Sequence, residues 1–293
     1  MAWEFEGLFD AIVPDGDDGL LADYWQSEPT AIRVGKMGYR TKTTKAGDRL
    51  EAEVYPIFGR ENTAALRKAK KNVTSDRMKA QNEKRSKRRL ILLMEENFRA
   101  DEDLHLTLTY QKTVGIEQCK KDIKQFFRQV RRIRKARNLP ELKYIYAIGH
   151  DEGHRIHVHV VINGGIDRTE LEQIWGKGYA NGIVLQEYGN GLQGIANYLH
   201  KQNAKEREKS RKQYIQTWVP SRNLKKPKER TSDTKMSKAR VNRIARDFRN
   251  EAKGVMEKIY PGYALKDCEV YYSDLVDGVY IRCVMRRWEG AQR

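Results

Sequence analysis

Two short segments near the middle of the chain alternate strictly between apolar and polar residues, which is typical of half-buried β-strands. Residues 104–110 (LHLTLTY) place leucines on one face and a histidine and two threonines on the other. Residues 156–162 (IHVHVVI) place His157 and His159 on one face and apolar side chains on the opposite face. We therefore expect two strands that each bury one face and present polar side chains on the other.

Segments with helical spacing and further strands surround these two. In chain order, the predicted elements are a strand at 104–110, a helix at 116–133, strands at 143–149 and 156–162, a helix at 167–176, a strand at 182–187 and a helix at 192–205. Asp167 is the expected N-cap of the short helix, with Glu170 in the capping-box position. This order predicts an α+β fold, a ferredoxin-like (split βαβ) antiparallel sheet with helices on one face.

The flanking regions predict helical and β-hairpin additions to this core. The patterns indicate a hairpin at 38–56, a long basic helix without Pro or Gly at 61–98, an amphipathic helix at 241–259 and a second hairpin at 267–287. We expect five regions: an acidic N-terminal tail (1–29), the first hairpin with the basic helix (30–100), the core (101–205), a basic linker (206–240), and the C-terminal helix and hairpin (241–293).

Charge is distributed unevenly along the chain. There are 57 Lys and Arg against 40 Asp and Glu, a net charge of +17. Residues 1–29 hold eight carboxylates and no Lys or Arg, so the remaining 264 residues have a net charge of +25. This indicates a polyanionic partner, most often nucleic acid, although a well-solvated basic surface is the simpler alternative. We expect the acidic tail to be solubilising; mimicry of DNA is the alternative.

Several classes of protein do not fit the sequence. No apolar run reaches the roughly 20 residues of a membrane-spanning helix, and the first residues lack the features of a signal peptide. We therefore expect an intracellular protein with no membrane partner. Cys119, Cys268 and Cys283 are widely spaced and odd in number, which fits neither a disulfide framework nor a cysteine-based zinc site. The chain has no G-x-x-x-x-G-K-[ST] motif, so we expect no helicase motor.

Two pairs of side chains have candidate chemistry. His157 and His159 leave the same face of a strand and could chelate one divalent ion, whereas two surface histidines are the simpler interpretation. Tyr198 and Lys201 are three residues apart on the last predicted helix and share one of its faces. A tyrosine beside a cation is a candidate nucleophile because positive charge favours the phenolate, whereas an ordinary amphipathic helix is the simpler interpretation.

Taken together, the motifs LHLTLTY, IHVHVVI and IANYLHK resemble, in order and spacing, the three motifs of the HUH endonucleases. The sequence is most similar to rolling-circle replication initiators of small plasmids, phages and integrated elements. The resemblance covers about residues 104–205, so the region 101–205 is interpreted as the HUH nuclease core. It implies a protein of the prokaryotic cytoplasm that acts on single-stranded DNA or an origin hairpin and borrows a host helicase and DNA polymerase. The oligomeric state stays open.

The resemblance also implies roles for individual residues. His157 and His159 would ligate Mg²⁺ or Mn²⁺, with His150 as the third ligand and Glu152 as the second choice. Tyr198 would attack the scissile phosphate, which leaves a 5′-phosphotyrosyl link and a free 3′-OH. Lys201 would stabilise the phenolate or the charge of the transition state.

Only one nucleophile is offered by the third motif, because the positions four residues from Tyr198 are Gly194 and Gln202. A second strand transfer would therefore need a second subunit or a second visit to the site. Tyr188 and Tyr214 are the next candidates for the nucleophile. Thr107 and Thr109 are expected to pack or bond beside the site, in a mostly structural role.

Three other functions stay open. A relaxase-like mobilisation protein would use the same chemistry on a different DNA. A non-enzymatic basic DNA-binding protein would explain the charge but not the motifs. A 2H-type phosphoesterase is suggested by the H-x-T sequence His105-Leu106-Thr107, but the chain lacks the second H-x-[ST] half in the later strand.

Overall fold

The computed structural model describes residues 38–57, 75–150, 155–201, 218–272 and 278–288. The predicted acidic tail lies outside the described residues. The chain divides into two compact units. The first unit is formed by Met1–Arg88 with Pro227–Arg293, and the second unit is formed by Arg89–Lys226.

Ten strands and six helices lie within the described residues. The strands are β1 (Tyr39–Ala46), β2 (Arg49–Pro56), β3 (Leu104–Thr109), β4 (Tyr144–His150), β5 (Ile156–Ile162), β6 (Ala180–Val184), β7 (Val219–Pro220), β8 (Lys228–Ser232), β9 (Tyr263–Tyr272) and β10 (Val279–Arg287). The helices are α1 (Ser75–Asn97), α2 (Ile116–Ala136), α3 (Arg168–Trp175), α4 (Gln193–Lys201), α5 (Lys238–Arg246) and α6 (Phe248–Ile259). No helix in the described part of the chain is both long and apolar enough to cross a membrane.

The second unit contains a five-stranded antiparallel sheet in the order β6-β3-β5-β4-β7. Helix α2 connects β3 to β4, and α3 connects β5 to β6, which is the split βαβ arrangement. The α+β fold predicted from the sequence is therefore confirmed. The edge strand β7 lies within the stretch interpreted as a basic linker, where its main chain extends the sheet beside β4.

One face of this sheet packs against α2 and α3, as the alternation predicts. Apolar side chains of β3 and β5, such as Leu106 and Val158, are fully buried against Phe126 and Phe127 of α2 and Leu171 of α3. Asp167 caps α3 by accepting a hydrogen bond from the Thr169 N–H, as expected. The aliphatic and aromatic stripes of the helices form the main core of the unit.

The opposite face is also partly covered, so the prediction of helices on one face alone was incomplete. The C-terminal part of α1 buries Leu90 and Met94 against Ile145 and Val161 of the sheet, and α4 adds Leu199 to this second core. The reason is that the apolar stripe of α1, which the sequence shows only near the end of that helix, needs an apolar surface to cover it.

The bounds of several elements differ from the sequence prediction. The basic helix is described from Ser75, and residues 58–74 lie outside the described chain. The last helix of the core is described as Gln193–Lys201, and the predicted helix at 241–259 is two helices, α5 and α6. The break occurs at Asp247, which has a non-helical backbone and accepts a hydrogen bond from Asn250 N–H at the start of α6.

The first unit contains a second antiparallel sheet in the order β8-β1-β2-β10-β9. The two hairpins that the sequence analysis placed in separate regions are joined here, because β2 pairs with β10. One face is apolar and packs against α5 and α6. Cys268 and Cys283, far apart in the sequence, are free thiols directly opposite each other on β9 and β10, with their sulfur atoms 3.0 Å apart.

The other face of this sheet carries a buried ion-pair cluster, formed by Arg49, Glu51, Glu53, Arg88 and Arg282. Glu51 accepts hydrogen bonds from Arg49 Nε at 2.8 Å and from Arg88 Nε at 2.7 Å, and Arg88 also binds Glu53. Burial alone would raise the pKa of the Glu51 carboxyl, but the charges of Arg88, Arg282 and Arg49 hold it well below its usual range. The cluster is therefore ionised and internally neutralised.

Candidate active site on the second sheet

The pairing of β3 with β5 places the polar residues of the two motifs on one face of the second sheet. Thr107 lies opposite His159, Thr109 lies opposite His157, and His105 lies opposite Val161. Direct partners in an antiparallel pair share a face of the sheet. The structure thus brings together side chains that are about 50 residues apart in sequence.

The two histidines of the second motif are neighbours, as their spacing predicts. The ring centroids of His157 and His159 are 4.9 Å apart, and the rings are close to perpendicular. His157 is partly exposed, whereas His159 is only 2% exposed. The pair therefore presents one imidazole near the surface and one inside the sheet face.

Tyr198 of α4 reaches this pair of histidines. Its phenol oxygen lies 3.3 Å from Nε2 of His159, and the two rings meet edge to face at 4.9 Å. The Tyr198 side chain is nevertheless 46% exposed. Because α4 is held to the sheet by buried Leu199 and Ala196, the phenol stands at the edge of a packed helix, where a large substrate can approach it.

Thr107 contacts the other nitrogen of the same imidazole. Its hydroxyl oxygen lies 3.3 Å from Nδ1 of His159. Two proton arrangements satisfy both contacts of the ring: Nδ1–H donates to Thr107 while Nε2 accepts from Tyr198, or the reverse. In the first arrangement Nε2 keeps its lone pair toward Tyr198, which is the atom a metal ion or a proton would use.

His105 is a member of this site that the motif interpretation missed. Its ring stacks on His159 with centroids 5.4 Å apart, and it meets Tyr198 edge-on at 6.1 Å. Burial lowers the pKa of His105 to about 4, so the ring is neutral at pH 7. Its Nε2 is buried and has no hydrogen-bond partner among the described residues. The alternation of β3 already placed His105 on the polar face, but only the strand order reveals its neighbours.

The remaining predicted residues are placed less completely. Lys201 ends α4, one turn after Tyr198, and its side chain is exposed. His150 ends β4 opposite Ile156, but its side chain and the whole of Glu152 lie outside the described part of the structure. The prediction of the third ligand therefore stays a prediction.

Two other residues have local roles. Thr109 donates a hydrogen bond to the Tyr179 carbonyl at 2.7 Å, and its own carbonyl accepts one from the Trp175 indole, so it ties β3 to the chain around β6. Tyr188, the second candidate nucleophile, is exposed and donates to the Gln186 side chain at 3.0 Å. Tyr214 lies outside the described residues.

A metal ion is implied by the resemblance, and the donor set was compared with that expectation. Within the described ranges, no group of three or more His, Cys, Asp or Glu side chains is arranged to hold an ion. His157 and His159 supply two imidazoles on one face, which suits a first-row transition ion better than Mg²⁺, an ion that prefers oxygen. Of the two expected ions, Mn²⁺ is therefore the better fit to this pair.

Comparison with known proteins agrees with the resemblance over the same part of the chain. Residues 103–203 match the family described as "Replication-associated protein ORF2". The chain has no significant match among curated proteins or among solved structures. The matched segment contains β3 to β6 and α4, and with them every described residue of the candidate site. The sequence interpretation is confirmed at this level: residues 103–203 are a replication-initiator segment of this replication-associated family.

Proposed function

We propose that the second unit is the nuclease of a rolling-circle replication initiator. It would nick single-stranded origin DNA through a covalent tyrosine intermediate and later rejoin the strand. The observation that carries this proposal is the contact between the exposed phenol of Tyr198 and Nε2 of His159, in a segment that matches a replication-associated family. The finer chemistry below is part of the proposal.

The nicking step conserves the phosphodiester bond energy. The Tyr198 oxygen forms a bond to phosphorus, the bond from phosphorus to the 3′-oxygen breaks, and the phenol proton is balanced by the proton gained at the new 3′-OH. The products are a 5′-phosphotyrosyl DNA and a free 3′-OH that primes a polymerase. Attack by a later 3′-OH on the phosphotyrosine reverses the step and reseals the strand without ATP.

Each side chain at the site has a physical task in this scheme. Thr107 fixes the orientation of the His159 ring through Nδ1, and the arrangement in which Thr107 accepts leaves the Nε2 lone pair available. Neutral, buried His105 packs against that ring and limits its rotation. Lys201, one helical turn after Tyr198, supplies positive charge for the phenolate or the transition state.

His157 and His159 would hold Mn²⁺ or Mg²⁺, with the third donor expected at His150. When bound, such an ion polarises the scissile phosphate and orients it for in-line attack. Nε2 of His159 has one lone pair, and in the structure that atom faces the Tyr198 phenol. Tyr198 must therefore leave this contact before the same lone pair can serve as a ligand.

The partners follow from this reaction. A nicked strand must be unwound and its 3′-OH extended, so we propose that a host helicase and a DNA polymerase act with the protein. A relaxase-like mobilisation protein would use the same atoms, but the family match favours replication. A purely binding protein would leave the contact of Tyr198 with His159 without a task.

The decisive experiment is a nicking assay. Purified protein is mixed with labelled single-stranded DNA from the region that flanks its own gene, with Mn²⁺ or with EDTA, and is analysed on a denaturing gel. We expect a detergent-resistant protein–DNA adduct that needs the metal and disappears in Tyr198→Phe. Tyr188→Phe is the matched control, because this exposed tyrosine lies in the same unit and bonds only its neighbourhood.

The outcomes separate the alternatives. An adduct that survives Tyr198→Phe but disappears in Tyr188→Phe moves the nucleophile and overturns the role assigned to Tyr198. An adduct that forms equally well in EDTA overturns the role of the ion. Binding without cleavage on DNAs that span the origin would favour the non-enzymatic DNA-binding protein.

A further inference from the structure

A cationic cavity lies in the second unit, away from the histidines. It has a volume of about 650 Å³, within the range of small-molecule sites. It is lined at one side by the C-terminal turns of α2, at another by Tyr144 at the start of β4, and at a third by residues 221–223 after β7. Gly149, not Tyr144, lies opposite His157, so the cavity is on the order of 17 Å along β4 from the metal-ligand row.

The charge of the lining points to an anion. Four of its side chains are cationic and one is acidic: Arg131, Arg134, Lys135 and Arg222 against Glu141. Glu141 is already engaged, because its Oε2 accepts a hydrogen bond from the Asn223 amide at 3.1 Å. The cavity therefore has an excess of positive charge that an anionic ligand would neutralise.

Arg134 is the anchored member of this group. Although it is 2% exposed, its named partners are carbonyl oxygens: Nε donates to Pro140 at 2.7 Å, and Nη1 donates to Gly164 at 2.8 Å. Its Nη2 is buried with no hydrogen-bond partner among the described residues. A buried guanidinium whose named partners are all neutral gives the cavity a fixed positive charge.

Tyr144 supplies an aromatic wall beside these charges. Its ring stacks on Phe127 with centroids 3.7 Å apart, and the Arg131 guanidinium lies 5.8 Å from the ring centroid. The stacking on a fully buried phenylalanine fixes the ring in position. Cationic side chains next to a rigid aromatic ring are the combination that binds single-stranded nucleic acid, in which a phosphate meets the charge and a base meets the ring.

We propose that this cavity binds one nucleotide unit of single-stranded DNA, with its phosphate at the arginines and its base against Tyr144. The proposal rests on the proposed function in taking DNA as the ligand, and it adds a second contact with the strand, away from the phosphate that Tyr198 attacks. A free nucleotide has the same chemistry, so the test distinguishes the two sources.

The test compares two charge-matched double variants. Arg131→Ala with Arg222→Ala removes two exposed cations that line the cavity, and Arg128→Ala with Arg132→Ala removes two exposed cations of α2 that do not line it. Binding of a labelled oligothymidylate is measured by fluorescence anisotropy over a range of salt concentrations. We expect the cavity variant to lose about tenfold more affinity than the control, with a salt slope lower by about 1.4, the value for two phosphate contacts.

A second measurement does not depend on any substitution. An oligothymidylate that carries iododeoxyuridine is photocrosslinked to the intact protein, and the modified peptides are identified by mass spectrometry. We expect crosslinks at Tyr144 or in the segments that line the cavity, and competition by unlabelled oligonucleotide but not by an equal concentration of thymidine monophosphate.

Two results overturn the proposal: equal losses of affinity in both double variants, or crosslinks confined to other segments. Competition by the mononucleotide as strong as by the strand would reassign the cavity to a free nucleotide. Adduct formation by the unchanged protein is scored separately. A missing adduct with intact cavity binding would refute the nicking function alone, whereas a normal adduct with equal losses in the two double variants would refute the cavity alone.

Discussion

Both units bury polar side chains on one face of a five-stranded antiparallel sheet, but they satisfy those side chains differently. In the first unit, the buried ion-pair cluster joins Glu51 to Arg49 and Arg88 at 2.8 and 2.7 Å. In the second unit, the polar face joins imidazoles to hydroxyls through two contacts of 3.3 Å. The short contacts belong to a face whose charges are mutually neutralised, and the long contacts belong to a face that has room for another group.

The comparison shows how a buried polar face that stabilises the fold differs from one suited to chemistry. Ion pairs that are fully enclosed resist change because removal of one partner leaves a buried charge. Imidazoles and phenols with long contacts keep lone pairs and protons available. The clearest case is Nε2 of His105, which has no hydrogen-bond partner in the described part of the chain, because a purely structural face would have paired it.

The largest expected effect would be on the polar face of the second unit. His159→Gln removes the imidazole that contacts both Tyr198 and Thr107, and we expect adduct formation to fall by about 10²–10⁴-fold because acid–base or metal-ligand chemistry is lost. The thermal midpoint is measured in the same preparation. A variant that cleaves at the normal rate would contradict the site.

The corresponding change in the first unit should affect stability. Glu51→Ala leaves Arg49 and Arg88 buried without their carboxylate, and we expect the free energy of unfolding to fall by about 3–5 kcal/mol. The measurement is urea unfolding followed by circular dichroism. Glu229→Ala is the control, since this exposed residue pairs with Lys42 on the same sheet and should cost at most about 1 kcal/mol. Equal losses would refute the distinction.

Acid should weaken the two units over different pH ranges. The pKa of His105 is about 4 in the folded chain against 6.5 ordinarily, so the unfolded chain takes up the proton first, and stability falls as pH drops from 6.5 toward 4, by up to about 3 kcal/mol. The pKa of Glu51 lies below its ordinary 4.5, so its contribution is complete above that pH and is lost below it.

Metal-free unfolding curves from about pH 7.5 to about pH 3, followed by a probe in each unit, would check these ranges. His105→Phe should flatten the upper range only. A curve that His105→Phe leaves unaltered between pH 6.5 and 4 would show that this histidine does not titrate as expected.

A smaller effect is expected from the residue that orients His159. Thr107→Val keeps the shape of the side chain but removes its oxygen from Nδ1 of His159, and we expect adduct formation to fall by about 10–100-fold. Thr107→Ser restores the oxygen and should recover most of the rate. A serine variant as slow as the valine variant would point to packing instead of the hydrogen bond.

The smallest effect concerns the lone pair that Tyr198 faces. Tyr198→Phe removes the phenol O–H next to Nε2 of His159 without emptying the space, so Mn²⁺ should bind this inactive variant at least as tightly as the unchanged protein. Isothermal titration calorimetry measures both dissociation constants. Weaker binding by Tyr198→Phe would make the phenol a ligand or support for the ion.

The sequence predicted the local elements of the site well, because period-2 alternation records which face of a strand is buried. The two polar faces of residues 104–110 and 156–162 follow from that pattern, and helical spacing placed Tyr198 on a helix. Alternation does not say which strands are neighbours. The stacking of His105 on His159 depends on the pairing of β3 with β5, so His105 could not be assigned from spacing alone.

The same limit explains the larger differences in the fold. The hairpins at the two ends of the chain each have a clear pattern, but nothing in either pattern encodes the pairing of β2 with β10. The apolar stripe at the end of α1 was visible, whereas the sheet face that it covers was not. Pairings of this kind are decided by the free energy of the whole chain and not by local preference.

The pairing of β2 with β10 also has a consequence for the order in which the chain can fold during synthesis. All strands of the second unit's sheet lie within Arg89–Lys226, so this sheet can close while the ribosome is still extending the chain. Strand β2 ends at Pro56, and its partner begins at Val279. At about 5–20 residues per second, β2 waits roughly 10–45 s with one edge unpaired. A chain stopped in that interval would carry a complete nuclease sheet beside an exposed strand edge, which is the feature that promotes aggregation.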